Sequence, residues 1–430
     1  MIPTGRVLPP GPRAPRAVQT AQLMRDPVGF LERCRRDHGP VFRVKLIGFP
    51  RFVYVAEPDL AREVYATDRT IGRASPGRKD FLEPLVGSQS LLVLEGEEWL
   101  RHRKLLGPVF HRRQVDRYAD EIEAIADAVL DDVPTGEPLA LRPWMQRITL
   151  EVILRLVFGV SDEERLDRLR TLLPELVEAG SSPLIWVVPN TLQRRPLLRR
   201  FPNPVSRFYD VRAQVDALLY EEIAERRRTG AAGRTDVLSQ MLDDLDDAAL
   251  RDELITLLVA GHETTATALA WTFERLVRHP AALARLEEGD EEYLRAVVRE
   301  SLRARPVVID TPRYLDGPLK LGGYDIPAGW YVSPAMPLVQ GDDDFRPERF
   351  LEDGAGREGW IPFGGGKRHC VGSHLALLEL EVVVRATVRR LELEVVDAAP
   401  EAAELQHVTL VPAGLGVVRA RARRPASLPA

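Results

Sequence analysis

The run Phe363-Gly364-Gly365-Gly366-Lys367-Arg368-His369-Cys370-Val371-Gly372 stands immediately before an apolar helical stretch and constrains this chain more than any other segment. A thiol at the end of a glycine-rich loop that opens a helix is placed to become a thiolate. The N–H groups of the first helical turn and the helix dipole favour negative charge there, which lowers the thiol pKa. Glycine permits the tight turn and lets backbone approach whatever the sulfur binds. The segment holds a single cysteine, so a structural zinc site with four N/S ligands is excluded. Two readings remain: one thiolate on one face of a flat metal complex, as in haem ligation, or a small inert cysteine of the core. The other cysteine, Cys34, sits in the polar run Glu32-Arg33-Cys34-Arg35-Arg36 and reads as the inert kind.

The chain has 430 residues, 45% hydrophobic and 29% charged, with a formal net charge of -5 and two cysteines. Such a composition supplies an ample core and no disulfide framework, which predicts a reducing, cytoplasmic setting. No run of about 18 apolar residues is present, so no membrane anchor is expected. Residues 1–16 are rich in Pro, Gly and Arg and lack the apolar centre of a signal peptide. The acidic balance offers no broad phosphate-binding charge and excludes nucleic-acid binding.

Asp26 to His38 predicts a short helix stopped by Gly39-Pro40, and Val41 to Leu46 with Arg51 to Ala56 predicts a hairpin. Helical periodicity then dominates. It predicts helices from Pro58 to Ala66, Glu97 to Leu106, Arg113 to Asp132, Pro143 to Phe158, Asp162 to Ala179, Pro204 to Arg228, Asp247 to His279 and Glu291 to Arg303. Short strands are expected at Leu319-Lys320-Leu321 and Tyr324-Asp325-Ile326, a helix from Gly372 to Leu391, and a closing β region from Val408 to Val418. The pattern is mainly α with a small β-subdomain. With no repeat and no low-complexity linker, residues 17–430 are expected to form a single domain behind a Pro-rich lead at 1–16.

The long helix predicted from Asp247 carries Ala260-Gly261-His262-Glu263-Thr264-Thr265. Gly and Thr weaken a helix, and Thr hydroxyls that bond back to the i−4 carbonyl predict a kink or widened turn here. A Glu beside a hydroxyl in an apolar helix is either paired or solvated, or it works as an acid.

Phe363, Gly366, Arg368, Cys370 and Gly372 fall at the positions that define the ligand loop of the cytochrome P450 superfamily, which this chain resembles over nearly its whole length, in a soluble bacterial form. The resemblance implies the P450 fold, with haem between the long distal helix and the Cys-ligand loop and helix. It implies haem b as cofactor, with Cys370 as the axial thiolate and Phe363 and Gly372 beside it. Glu263 and Thr264 match the family's acid–alcohol pair: Thr264 would hydrogen-bond dioxygen and Glu263 would deliver protons through water. Ala260 and Gly261 are small where oxygen must fit, and His262 would point away from the metal. Trp99 with Arg103, Arg313 and Arg368 match the positions that clamp the haem propionates. Glu300 and Arg303, with Arg349 of Pro347-Glu348-Arg349-Phe350, match the trio that supports the Cys loop. This chain departs from the family in a shorter meander between Pro334 and Phe350, which predicts a weaker hold of Arg349 on Glu300 and Arg303. The connections near 243–247 and 287–292 are also short.

By the same resemblance the chain is a haem-thiolate monooxygenase that activates O2 to hydroxylate or epoxidise a medium-sized apolar substrate, such as a fatty acid, terpenoid, steroid or polyketide. Peroxygenation and rearrangement are alternatives within the class, and a non-catalytic haem ligand or gas sensor is an alternative outside it. Glu263 and Thr264 favour the first. The substrate-facing segments contain Phe81, Leu85, Leu91, Leu92, Leu184, Ile185, Trp186, Val187, Val307, Val308 and Leu410. Electrons would come from a ferredoxin or flavodoxin with its reductase, steered toward Arg112, Arg113, Lys367 and Arg368.

Overall fold

Polar caps and first-turn prolines set where the opening helices begin. The computed structural model describes residues 8–49, 51–74, 76–180, 203–342, 344–352, 358–406 and 408–423. Asp26 divides α1 (Arg16–Arg25) from α2 (Pro27–His38) and caps the second, its Oδ1 accepting the Gly29 N–H at 3.0 Å. Strands β1 (Val41–Val44) and β2 (Phe52–Val55) pair antiparallel, Val41 opposite Val55, as the hairpin pattern predicts. Along the chain follow α3 (Pro58–Ala66), β3 (Gly72–Arg73), α4 (Pro76–Val86), α5 (Gly96–Val109), α6 (Arg112–Val115), α7 (Ala119–Leu130), β4 (Pro138–Ala140), α8 (Arg142–Val152), α9 (Glu163–Gly180) and α10 (Pro204–Thr229). Then come α11 (Val237–Met241), α12 (Asp247–Leu276), α13 (Pro280–Glu287), α14 (Glu291–Ala304), β5 (Arg313–Leu315), β6 (Leu319–Leu321), β7 (Tyr324–Ile326), β8 (Tyr331–Pro334), α15 (Met336–Val339) and α16 (Ser373–Arg390). Four strands close the chain: β9 (Leu391–Val395), β10 (Ala403–Gln406), β11 (Thr409–Pro412) and β12 (Val417–Ala422).

Two compact units contain these elements. The first comprises Met1–Arg73, Ala119–Ile148 and Thr264–Ala430, and the second comprises Ala74–Tyr118 and Thr149–Glu263. In the first, a five-stranded sheet runs in the order β1-β2-β8-β5-β3, with β2 and β8 parallel. Val53, Val55, Val64, Leu315 and Val332 pack together in one of its apolar clusters, and Phe30, Phe42, Tyr54 and Leu410 in another. A three-stranded sheet, β4-β12-β9, and the pairs β6-β7 and β10-β11 complete the β structure. Helix α16 packs on α7 and α14. In the second unit α9 packs along α10, and α5 against α11.

Two expectations are corrected. The helix predicted from Arg113 to Asp132 is broken, α6 and α7 being joined by a tight turn at Asp116–Tyr118 that buries Tyr118. The long helix α12 is continuous through Ala260 to Thr265. Thr256 and Thr272 do bond back to the carbonyls of Asp252 and Ala268, at 2.6 and 2.8 Å, and the ladder accommodates both. The widened turn lies instead at Ile153–Val157, where the Phe158 N–H reaches the Ile153 carbonyl five residues back at 2.9 Å. A Cβ on Gly261 would lie 3.1 Å from Ile153 Cδ1, so glycine here makes room for the packing of that turn. Five helices among the described residues were not anticipated: α1, α4, α11, α13 and α15.

Candidate functional site

Cys370 is exposed at the end of its loop, and its backbone N–H donates to the Phe363 carbonyl at 3.0 Å, closing the loop on itself. Gly364 and Gly366 have φ of 69° and 68°, a backbone state that favours glycine. Close approach constrains the loop as well: a Cβ on Gly365 would run into the Tyr65 ring, and one on Gly366 into the Asp68 carboxyl. The Phe363 ring stands against Trp360 and His369, with centroids 6.0 and 6.3 Å away. Gly372 takes the N-cap position of α16, and open space surrounds the place of its missing side chain. Cys34 is a different thiol. It is buried on α2, and burial pushes it up to about 11, which keeps it protonated.

The loop is held by residues that the sequence pattern did not single out. Asp68, just beyond α3, accepts from Arg313 Nε at 2.5 Å and Nη2 at 3.2 Å and from the Lys367 backbone N–H at 2.9 Å. Arg313 is 1% exposed and also donates to the carbonyls of Thr311 and Gly365, at 2.9 and 3.1 Å. Its guanidinium therefore joins β5 and the turn after α3 to the Cys loop. Tyr65 adds its ring, 5.3 Å from the Arg313 guanidinium carbon, and its hydroxyl, 2.9 Å from Thr311 Oγ1. The available signal was physical. A buried arginine needs a counter-charge, and the polar turn Thr67-Asp68-Arg69 after an amphipathic helix offers one.

The Glu300, Arg303 and Arg349 side chains meet. Arg303 donates to both oxygens of the fully buried Glu300 at 2.8 and 2.9 Å, and Arg349 Nε lies 3.3 Å from Glu300 Oε2. The short meander tightens this centre. Arg303 also donates to the carbonyls of Gln340, Asp342 and Asp344, at 3.0, 2.8 and 2.5 Å, and the Arg346 N–H reaches Glu300 at 2.8 Å. Arg349 itself reaches the Glu300 oxygens only at 3.3 and 3.4 Å, while carbonyls of the meander satisfy the Arg303 guanidinium.

In the second unit, Trp99 and Arg103 share one face of α5, four residues apart, with Trp99 buried. Glu263 ends this unit on α12, and Thr264, the next residue of the same helix, begins the last segment of the first. Most of α12 is buried, yet exposure returns at Ala260, with Val259, Gly261, Glu263 and Thr264 half-buried. His262 turns away from that window. It is buried, with Nδ1 2.7 Å from Thr149 Oγ1 and Nε2 3.5 Å from Glu263 Oε1. Next to Arg103, His102 enters the interior and places Nδ1 2.6 Å from Glu253 Oε1.

Of the apolar residues expected to face substrate, Leu85 and Leu92 are half-buried and Leu91 is buried in the second unit. In the first, Val308 forms a bridge with Thr409, and Leu410 belongs to the packed core, its N–H bonded to the Val307 carbonyl at 2.7 Å. Leu184, Ile185, Trp186 and Val187 lie outside the described residues, as does the side chain of Phe81. Arg112, Arg113 and Lys367 are exposed, and Arg368 is half-buried in the turn before Cys370.

The model of the cytochrome P450 family matches residues 8–417. The chain belongs to the cytochrome P450 family. Two similar proteins of Mycobacterium tuberculosis are named as cytochrome P450 135B1, 38% identical with 98% of this chain and 93% of that one covered, and cytochrome P450 138, 36% identical with 97% of each covered. Two solved structures share the fold at 22% identity and a TM-score of 0.82. One is the retinoic acid-bound cyanobacterial CYP120A1, covering 97% of this chain and 100% of that one, and the other is the haem domain of cytochrome P450DA, covering 97% and 98%. The P450 family is one of monooxygenases carrying haem b on a cysteine thiolate, so this P450 is an oxidoreductase of that class. The residues of its Cys loop fit that group: one accessible thiol at a helix start with open space beside Gly372. No helix among its described residues is long and apolar enough to cross a membrane.

Proposed function

We propose that this P450 hydroxylates or epoxidises a medium-sized apolar molecule, taking electrons from a separate ferredoxin or flavodoxin with its reductase. Substrate, O2, two electrons and two protons yield the oxygenated product and water. One observation carries the reading: Cys370 is an accessible thiol at the start of α16, on a loop tied down by its own backbone and by Asp68 and Arg313. Haem b held by that thiolate supplies the oxygen activation.

The chain's own residues do the rest. Cys370 is the metal ligand, and the N–H groups opening α16 stabilise its negative charge. Phe363 and Gly372 shape the cofactor's side of the loop. Trp99, Arg103 and Arg368 would hold the propionates, the guanidinium forks matching carboxylates in two places, while the fork of Arg313 is already taken by Asp68 and would serve the Cys loop. Thr264 Oγ1 holds a hydrogen bond on the oxygen side, beside the small, exposed Ala260. Glu263, half-buried, would pass protons to the site through water. Leu85, Leu91, Leu92, Val307 and Val308 support an apolar substrate. The exposed Arg112, Arg113 and Lys367 suit an acidic electron donor.

The test is the carbon monoxide difference spectrum of the reduced protein. Wild type is expected to give the red-shifted Soret band of thiolate-ligated haem, and Cys370→Ser to lose it while remaining folded by circular dichroism. Retention of that band in Cys370→Ser would overturn the assignment. NADPH consumption with a reductase pair that no apolar compound stimulates would overturn the monooxygenase reading.

A further inference from the structure

His102 and Glu253 form a buried titratable pair to which the reading above gives no task. His102 is 5% exposed on α5, between Trp99 and Arg103 in sequence direction, and Glu253 is fully buried on α12. A contact of 2.6 Å between Nδ1 and Oε1 places one proton between the two atoms, held by the imidazole or by the carboxyl. Burial, the largest influence, pushes the Glu253 carboxyl up, against the pull of His102 and the Leu91 N–H. The neighbouring Asp252 adds to the rise. Among the described residues, Glu253 Oε2 is buried without a well-formed hydrogen bond.

The position of the pair on the helix is informative. Glu253, Leu257, Ala260 and Thr264 recur at i, i+4, i+7 and i+11, so they lie on one stripe of α12. Three consecutive residues of the segment after α4 are strapped to the beginning of that helix. The Gln89 N–H donates to Asp252 Oδ2 at 2.9 Å, the Ser90 hydroxyl meets Thr256 Oγ1 at 2.6 Å, and the Leu91 N–H faces the Glu253 carboxyl. Gly87, at φ 90°, lets the Asp252 carboxyl lie where a side chain would otherwise stand. His102 then ties α5 to the same point. One buried hydrogen bond thus joins the helix of Trp99 and Arg103, the segment carrying Leu91 and Leu92, and the stripe of Ala260 and Thr264.

We propose that His102 and Glu253 are specificity-determining positioning residues, which fix the Gln89–Leu92 segment against α12 and so limit the size of ligand admitted beside Ala260 and Thr264. The inference rests on the haem-thiolate reading for the site and not for the pair, which a separate measurement addresses. The probes are imidazole and 4-phenylimidazole, whose ring nitrogen binds ferric haem and whose affinities are read from the Soret shift. In Glu253→Ala the affinity ratio of the larger azole to the smaller is expected to rise about tenfold over wild type, whereas Glu253→Gln, which keeps the contact, should stay within about twofold. A change confined to general stability would weaken both azoles alike and leave the ratio in place. Hydrogen exchange at the amides of Gln89–Leu92 is expected to accelerate in Glu253→Ala, and this is measurable whether or not haem is bound. His102→Gln carries the same two expectations and replaces Glu253→Ala if that variant does not fold. An unchanged ratio together with unchanged exchange would overturn the proposal, and so would faster exchange with an unchanged ratio. Should wild type bind neither azole, the haem reading fails, and the size-limiting role falls with it while the exchange data still report the strap.

Discussion

Two segments of this P450 are held in place by opposite means. The Cys370 loop and its supports rest on guanidinium groups paired with carboxylates and carbonyls: Arg313 with Asp68 and Gly365, and Arg303 and Arg349 with Glu300. The Gln89–Leu92 segment rests on one amide bond to the Asp252 carboxylate, one hydroxyl pair and the Leu91 N–H facing the Glu253 carboxyl. Charge-assisted bonds are roughly twice as strong as neutral ones, and a two-pronged guanidinium fixes a plane as well as a distance. Single bonds of the second kind contribute about 1 kcal/mol, or about 1.5–3 kcal/mol where the acceptor is charged, and can open one at a time. The difference suits the two proposed tasks, a ligand loop that keeps its geometry through every cycle and a segment beside the substrate that can yield.

Removing the most heavily used carboxylate should break the comparison most visibly. Glu300→Ala leaves Arg303, only 5% exposed, with carbonyl partners and, as a counter-charge, the exposed Asp342 carboxylate 3.7 Å away. Breaking a buried pair in this way costs about 3–5 kcal/mol. Denaturant melts and the haem-to-protein ratio should both fall sharply, and an undiminished melt would show that meander carbonyls alone hold the loop.

A smaller effect comes from a carboxyl of this scaffold that has no charge partner among the described residues. Glu379, on α16, is 3% exposed, and its Oε1 has no hydrogen-bond partner among the described residues. Burial alone pushes its carboxyl up from 4.5 to about 8. A raised folded-state pKa means that the folded protein keeps the proton longer than the unfolded chain. Stability is therefore fully present below pH 4.5 and is lost as pH rises toward about 8. The slope is at most about 1.4 kcal/mol per pH unit for one proton. In Glu379→Gln the unfolding free energy should lose this decline and exceed wild type at the alkaline end. Parallel pH profiles for the two proteins would count against a buried neutral Glu379.

Much of this scaffold was legible in the sequence, because it consists of short motifs in which residue type and spacing fix geometry. Cys370 with its glycines, the i, i+3 pair Glu300 and Arg303, and the Trp99 and Arg103 face of α5 could all be placed from spacing alone. Partners distant in sequence could not. Asp68 meets Arg313 across 245 positions, and His102 meets Glu253 across 151, and no local pattern records either contact. The kink expected in α12 failed for a related reason. Gly261 was read as a weakness of its own helix, whereas its small size is used by Ile153 of another. The carbonyls that complete the Arg303 site were also invisible, since backbone acceptors carry no sequence signature.

Asp68→Asn is the mildest test and the one that sharpens the comparison furthest. The amide keeps the shape of the side chain and can still accept from the Lys367 N–H and from one Arg313 nitrogen, so the loop loses charge assistance without losing its contacts. Hydrogen bonds to charged groups contribute about 1.5–3 kcal/mol and neutral ones about 1, so the expected loss is about 1–2 kcal/mol. The loss should concentrate at the loop. Arg313 also donates to Gly365, and weakening its orientation loosens the turn that precedes Cys370. The carbon monoxide spectrum should therefore show part of the haem shifted away from the thiolate-ligated form on mild warming, at temperatures where wild type shows none. A variant that melts earlier as a whole, with its thiolate band intact until it unfolds, would mean that Asp68 stabilises the first unit without setting the geometry of the ligand loop.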